Sequence, residues 1–226
     1  MKKFTLSIAA VMAMGTFAIA GGDIAPVEEP IVVVEPVVDD SGFYLGLAYS
    51  FVDTEVIWDY SKLEQDNYDG MEGDYHAIML QVGYKFNSYF AVEGRYWNNV
   101  ADGEFTHTFY NPDGSVHYEI EEEDGRYDFN AWGIYVKPMY PVTDSFDVYA
   151  LLGYADTTIT PPSGLEGTVN DKDGFSWGLG ASYAFMDNLS VFADYASLYD
   201  DDALNENGYG EDMTIETWNF GLTYKF

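Results

Sequence analysis

The chain has no cysteine, so it can form neither a disulfide scaffold nor a thiolate zinc site. Positive charge is almost as scarce: 9 lysine and arginine residues stand against 39 aspartate and glutamate, a formal net charge of −30. A surface this acidic repels phosphate, which excludes nucleic acid as a partner. His76, His107 and His117 are the entire histidine supply. No G-x-S-x-G elbow, H-E-x-x-H pair or EF-hand-type acidic loop occurs, so no cofactor and no dedicated metal site is expected. Beyond the first twenty residues, no apolar run approaches the roughly 18 positions a membrane helix needs.

What remains is apolar and aromatic. Hydrophobic residues make up 47% and aromatics 18%, too much for a disordered chain despite the charge. The length of 226 residues suffices for one large β domain with its own core.

The first residues have a different purpose. Met1-Lys2-Lys3 is a short basic start, and the apolar stretch from Phe4 to Ala20 ends Ala18-Ile19-Ala20, the marks of a secretory signal peptide. An uncleaved anchor is the weaker reading, because Thr5, Ser7, Gly15 and Thr16 interrupt a short run. Residues 1–20 are therefore expected to be removed on export. Residues 21–41 are rich in proline, valine and glutamate, with Pro26, Pro30 and Pro36 spaced along them, and read as an extended tether. If the exported chain enters a membrane, it must do so as a closed barrel, since lipid cannot satisfy an open sheet edge.

From Gly42 onward the hydrophobic period is two. Phe43, Leu45, Leu47, Tyr49 and Phe51 fall on one face of the first segment, and Tyr44, Gly46, Ala48 and Ser50 on the other. The closing segment repeats this with Trp218, Phe220, Leu222, Tyr224 and Phe226. Eight such segments are legible: 42–53, 75–87, 89–101, 127–141, 146–157, 174–186, 189–199 and 213–226. Tight polar turns at Asn87-Ser88, Thr143-Asp144-Ser145 and Asp187-Asn188 alternate with long links near 54–74, 102–126, 158–173 and 200–212. The acidic runs, Glu121-Glu122-Glu123-Asp124 and Asp200-Asp201-Asp202 among them, sit in the long links, and the apolar faces carry almost none. Short turns on one rim and long acidic loops on the other describe an outer-membrane barrel. Two aromatic girdles are expected: Phe86, Tyr89, Phe90, Tyr140, Phe146, Tyr183 and Phe185 beside the short turns, and Tyr96, Trp97, Trp132, Tyr154, Trp177 and Trp218 toward the long loops.

These features together resemble the OmpA-like or opacity-type outer-membrane β-barrels, over residues 42–226. The resemblance implies an all-β fold, an eight-stranded antiparallel up-and-down transmembrane β-barrel in a Gram-negative outer membrane. Residues 21–41 would then lie in the periplasm. It also implies that Phe220, Leu222, Tyr224 and Phe226 are the assembly signal read by the barrel assembly machinery. Full-length OmpA relatives carry a peptidoglycan-binding domain after the barrel; the present sequence ends with the last strand, so peptidoglycan anchoring is not carried over.

Eight strands leave a lumen that side chains can fill. If Phe90, Val92 and Tyr96 face lipid, then Glu93 and Arg95 point inward, and the same parity turns Lys85, Lys137, Asp194 and Lys225 inside. Glu93, Arg95, Lys137 and Asp194 are the candidate lumen ion pairs, expected to plug it in preference to forming a narrow ion path. Ser115 and His117, two apart after Asn111-Pro112-Asp113-Gly114, could place a nucleophile beside a base, but a polar hairpin at a loop tip explains them better, and no catalytic residue is assigned. The expected protein is a monomer in contact with outer-membrane lipid and lipopolysaccharide, with a structural or surface-interaction role such as envelope integrity, adhesion or recognition. The rivals are a narrow channel, a lipid A-modifying barrel enzyme, and a soluble calyx of lipocalin type. The acidic rim would share divalent ions with lipopolysaccharide phosphates only through loose association.

Overall fold

The computed structural model describes residues 40–59, 68–100, 104–111, 115–122, 128–160, 170–204 and 210–226, all within one compact unit, Asp39–Phe226. The expected signal peptide and nearly all of the tether lie outside the described residues. Ten strands follow one another: β1 Gly42–Asp59, β2 Tyr68–Asn87, β3 Phe90–Asn99, β4 Glu104–Tyr110, β5 Val116–Glu122, β6 Asp128–Pro141, β7 Phe146–Thr160, β8 Asn170–Met186, β9 Leu189–Leu204 and β10 Gly210–Lys225. Eight of them run in the order β1-β10-β9-β8-β7-β6-β3-β2, each antiparallel to its neighbours. Pairing of β1 with β2 as well as β10 closes the ring: Tyr44 lies opposite Lys225 on one side and Gly83 on the other. Among the described residues, each strand of the ring thus has a paired neighbour on both sides.

Alternation then sorts the side chains. Phe43, Leu45, Leu47, Tyr49 and Phe51 of β1 are exposed on the outside, as are Phe220, Leu222 and Tyr224 of β10 and Phe226 just after it. Tyr44, Ala48, Ser50 and Val52 are buried inside. The eight steps from Phe43 to Phe51, at about 3.3 Å each, make an apolar band roughly 26 Å long along the strand.

The strands continue well past that band, where the sequence suggests loop. β1 runs to Asp59, β2 begins at Tyr68, and β7, β8, β9 and β10 extend likewise into the expected long links. The physical reason is an inversion of phase. In Val52-Asp53-Thr54-Glu55-Val56 the period of two persists, but Asp53 and Glu55 now face outward while Val52 and Val56 are buried within. Met213 and Ile215 of β10, Phe129 of β6 and Ile159 of β7 are buried in the same way, joining Val56 and Tyr75 in one apolar cluster. Below the boundary the apolar face looks out; above it the apolar face looks in.

The link expected over 102–126 also holds two strands. β4 pairs with the upper part of β2 and β5 with β4, so this hairpin extends the sheet sideways above the ring. Its turn is closed by the Asn111 amide, which donates to the Ser115 carbonyl at 2.8 Å. This matches the polar hairpin weighed for Ser115 and His117.

At the opposite rim the short turns fall where the sequence places them. The amide of Tyr89 donates to Asn87 Oδ1 at 2.8 Å, and those of Val142 and Thr143 both donate to the Phe146 carbonyl. Asp40, just before β1, joins the seam: Lys85 Nζ lies 2.5 Å from Oδ2, Lys225 Nζ 2.6 Å from Oδ1, and Ser88 Oγ donates to Oδ2. Burial disfavours the charged carboxylate, but hydrogen bonds and charge from Lys225 and Lys85 outweigh it and hold Asp40 below its ordinary range. The Phe226 amide donates to the Phe43 carbonyl at 2.9 Å, fixing the last residue to the first strand.

Candidate functional site

The four residues expected inside the lumen meet there. Arg95 of β3 donates through Nη1 and Nη2 to the two oxygens of Asp194 on β9, at 2.9 and 2.8 Å. β3 and β9 stand opposite each other in the ring of eight, so this bidentate pair crosses the lumen. Arg95 Nε also donates to Glu93 Oε1 at 2.5 Å, and Lys137 Nζ donates to Glu93 Oε2 at 2.9 Å. Two acids and two bases thus cancel, all of them buried.

A second ring of groups, which the charge pattern does not reveal, completes the network. Tyr44 hydroxyl donates to Glu93 Oε2 at 2.6 Å and Tyr149 hydroxyl to Asp194 Oδ2 at 2.8 Å. Lys137 Nζ also sits 4.0 Å from the centre of the Tyr149 ring. Asn219 Nδ2 donates to Asp194 Oδ1, while its own Oδ1 accepts from Ser50, Trp97 and Thr217. Small residues make room for these rings. A Cβ on Gly83 would overlap the Tyr44 ring, and one on Gly180 would stand 2.6 Å from carbons of the Tyr149 ring. Tyr44, Tyr149 and Asn219 share the inward parity of Glu93, and that parity was the signal by which they could have been found.

Trp97 corrects the expected girdle. It is 0% exposed, faces the lumen and donates to Asn219 Oδ1 at 2.9 Å, because it lies two residues from Arg95 on the same face. Tyr96, Trp132, Tyr154, Trp177 and Trp218 are exposed on the outside as expected. So are Phe220, Leu222, Tyr224 and Phe226.

Ser115 Oγ accepts a hydrogen bond from Asn111 Nδ2 at 3.0 Å, and the His117 ring meets Tyr118 edge-on at 5.2 Å.

Above the apolar band the outer face is acidic, and like charges stand directly opposite one another. Asp53 of β1 is paired with Asp74 of β2 and with Glu216 of β10; one rung higher, Glu55 faces Glu72. Desolvation, a hydrogen bond with Asp74 and repulsion from Asp74 and Glu216 push the Asp53 carboxyl up to about 6. All the described basic residues, Lys85, Arg95, Lys137, Lys172 and Lys225, occupy inward strand positions. Among the described residues, therefore, no lysine or arginine occupies an outward strand position.

With this geometry in view, a family model described as an outer membrane protein beta-barrel domain matches residues 7–226. Among solved structures, the chain is similar to neisserial surface protein A, with 14% identity over 82% of this chain and 97% of that one, at a TM-score of 0.50. It is similar to the outer membrane protein OprG from Pseudomonas aeruginosa, with 15% identity over 82% and 96% and a TM-score of 0.52. It is also similar to the outer membrane protease OmpT from Escherichia coli, with 10% identity over 84% and 98% and a TM-score of 0.54. At such identities the likeness is one of fold. No curated protein matches the sequence.

Two outcomes follow from the charges. Arg95→Met leaves Glu93 sharing Lys137 alone and Asp194 without a cation, and should lower unfolding stability by about 3–5 kcal/mol. Arg95→Met combined with Asp194→Asn, which preserves the balanced Glu93–Lys137 pair, should cost less than the single change; urea unfolding in detergent micelles, followed by tryptophan emission, measures both. Because the folded state raises the Asp53 value from 3.8 to about 6, ionisation is penalised there. Stability from this group is full below about pH 3.8 and falls as pH rises toward 6. Asp53→Asn should therefore stabilise the barrel at pH 8 by about 0.2–1 kcal/mol, the size of a like-charge cross-strand penalty. An equal gain at pH 3.5 would contradict this origin.

Proposed function

This chain belongs to the outer membrane protein β-barrel domain family, which places it in the outer membrane, and on that footing we propose a structural and surface-interaction protein whose lumen is sealed by its own side chains. The observation that carries the sealed lumen is the cross-lumen network of Glu93, Arg95, Lys137 and Asp194. Its formal charges cancel, Asn219 and the tyrosines occupy the remaining positions on its carboxylates, and an apolar cluster that includes Tyr75, Phe129, Ile159 and Met213 fills the space near the long-loop rim. An ion crossing this centre would have to break several charge-assisted hydrogen bonds at once. The neutral, satisfied network favours a plug over a conducting path.

The surface role follows from what projects. The short-turn rim and both ends of the described chain are assigned to the periplasm, and the long acidic strands with the β4–β5 hairpin to the exterior. The Ser115 hydroxyl accepts from Asn111 and the His117 imidazole meets Tyr118, contacts that fit a polar hairpin. The outer face of β10, with Phe220, Leu222, Tyr224 and Phe226 aligned toward lipid, is the surface offered to the barrel assembly machinery. Contact with lipopolysaccharide would occur along the acidic collar just above the band.

Planar-bilayer recording of the refolded chain tests the seal. The wild type should stay electrically quiet, while Glu93→Ala/Arg95→Ala should raise the leak; steady open-state current through the wild type overturns the plug. Deleting Phe226 should lower the yield of folded, heat-modifiable barrel in outer-membrane fractions. Undiminished insertion would remove the assembly assignment.

A further inference from the structure

The lipid-facing surface carries a notch. On β3 the outward positions are Phe90, Val92, Gly94, Tyr96 and Asn98, so Gly94 interrupts a row of large side chains. Among the described residues it is the only glycine at an outward position within the apolar band. Glycines that face the lumen make room for protein groups: a Cβ on Gly46 would overlap Gln81, and one on Gly133 the Tyr135 ring. Gly94 has no such reason, because a Cβ there would meet nothing closer than Val82 Cγ1 at 3.8 Å, an ordinary contact. Glycine inside a strand weakens it and often marks a place where a ligand or another backbone comes close. The protein's own packing leaves this position open, so the close approach belongs to something outside it.

The notch is the floor of a groove. Val82 of β2 and Ile134 of β6 stand opposite Gly94 on either side, and Leu80 and Trp132 stand opposite Tyr96 in the same way. All five are exposed, and the groove they line measures about 500 Å³. That lies within the roughly 300–1,000 Å³ span of ligand sites. The groove belongs to the surface that acyl chains cover, so its occupant continues that interface. Lipid tails wet any apolar face alike, but two walls and a floor give one chain more close contacts than bulk lipid offers.

The groove's upper end defines the head group. On β1 and β10 the outward residues above the band are Asp53, after Phe51, and Glu216, beyond Trp218. Above the groove they are Asn98 and Asn130, uncharged and directly opposite each other. Asp156 of β7 stands beside Trp132, and Asp128 is the next outward residue beyond Asn130. Amides donate to a phosphate, and carboxylates attract an ammonium. Among the described residues no lysine or arginine stands outward to neutralise a multiply anionic head group.

We propose that this groove holds one acyl chain of a zwitterionic glycerophospholipid with an ammonium in its head group, the chain laid over Gly94 and the head level with Asn98, Asn130 and Asp156. The site rests on the membrane placement alone and stands whether or not the lumen conducts.

The test uses the full refolded chain in micelles doped with equal amounts of phosphatidylethanolamine and phosphatidylglycerol, with retained lipid read by native mass spectrometry. One equivalent of phosphatidylethanolamine should be kept in preference to phosphatidylglycerol, and Asp156→Asn should narrow the preference. Gly94→Leu fills the notch and should weaken retention by about five- to thirtyfold, the loss of roughly ten close carbon contacts. It enters open space, so heat-modifiable gel mobility should persist. Ile134→Ala lowers a wall without touching Gly94 and should weaken retention too, which keeps the test sound if leucine disturbs the strand. Ala193→Leu, outward on β9 across the ring, should change nothing. Phosphatidylethanolamine spin-labelled on its chain should broaden the amide signal of Gly94 more than that of Ala193. Equal retention of the two phospholipids, indifference to Gly94→Leu, equal broadening at both amides, displacement by an equimolar amount of lipopolysaccharide, or a mass of two chains that Gly94→Leu abolishes would each overturn the proposal.

Discussion

Everything in this molecule depends on the requirement that a backbone in lipid find all its hydrogen-bond partners within the protein. A sheet meets it only by closing, and here closure is made by β1, which pairs along its length with β2 on one side and β10 on the other. Closure fixes which way each side chain points, since a register slip of one residue would exchange the two faces of a strand. Once the large apolar groups of β1 and β10 face outward, Glu93, Arg95, Lys137 and Asp194 have nowhere to go but the centre. Their mutual neutralisation is a consequence of being enclosed together. Arg95 suits this position because its planar fork reaches Asp194 with two bonds and Glu93 with a third.

The same requirement explains why the barrel changes character part-way along its strands. Where lipid is the solvent, bulk and apolarity belong outside, and small or polar groups belong inside. Where water is the solvent, the ordinary rule returns, and Val56, Phe129, Ile159 and Met213 turn inward while Asp53, Glu55 and Glu72 turn out. The strands run unbroken through the transition, so one sheet obeys two opposite hydrophobic rules. The rows of facing carboxylates mark the boundary. Their repulsion is tolerated because the backbone ladder beneath them is continuous, and each such pair costs far less than an unsatisfied amide in lipid.

This inversion also accounts for what the sequence did and did not reveal. The eight strands, the three tight turns and the inward direction of the four charged residues follow from alternation between Gly42 and Phe226. The strand extensions were hidden because the outward residues above the boundary are acidic, and Asp53-Thr54-Glu55 reads as loop when only one apolar phase is sought. The hairpin was hidden for a related reason. Phe105, His107 and Phe109 alternate with Thr106 and Thr108, but a seven-residue strand among glutamates gives little signal, and its partner β2 is distant in sequence. Trp97 was misplaced by residue type: tryptophan suits a girdle, yet its parity with Arg95 overrides that preference. Tyr44, Tyr149 and Asn219 bear no formal charge, so a search for ion pairs passes them over.

Segregation of charge is the last consequence. With the described lysines and arginines placed inward and Asp53, Asp74 and Glu216 outward, the Glu93–Arg95–Lys137–Asp194 centre is neutral and the collar negative. Such a separation leaves like charges where water screens them and pairs opposite charges where water is excluded.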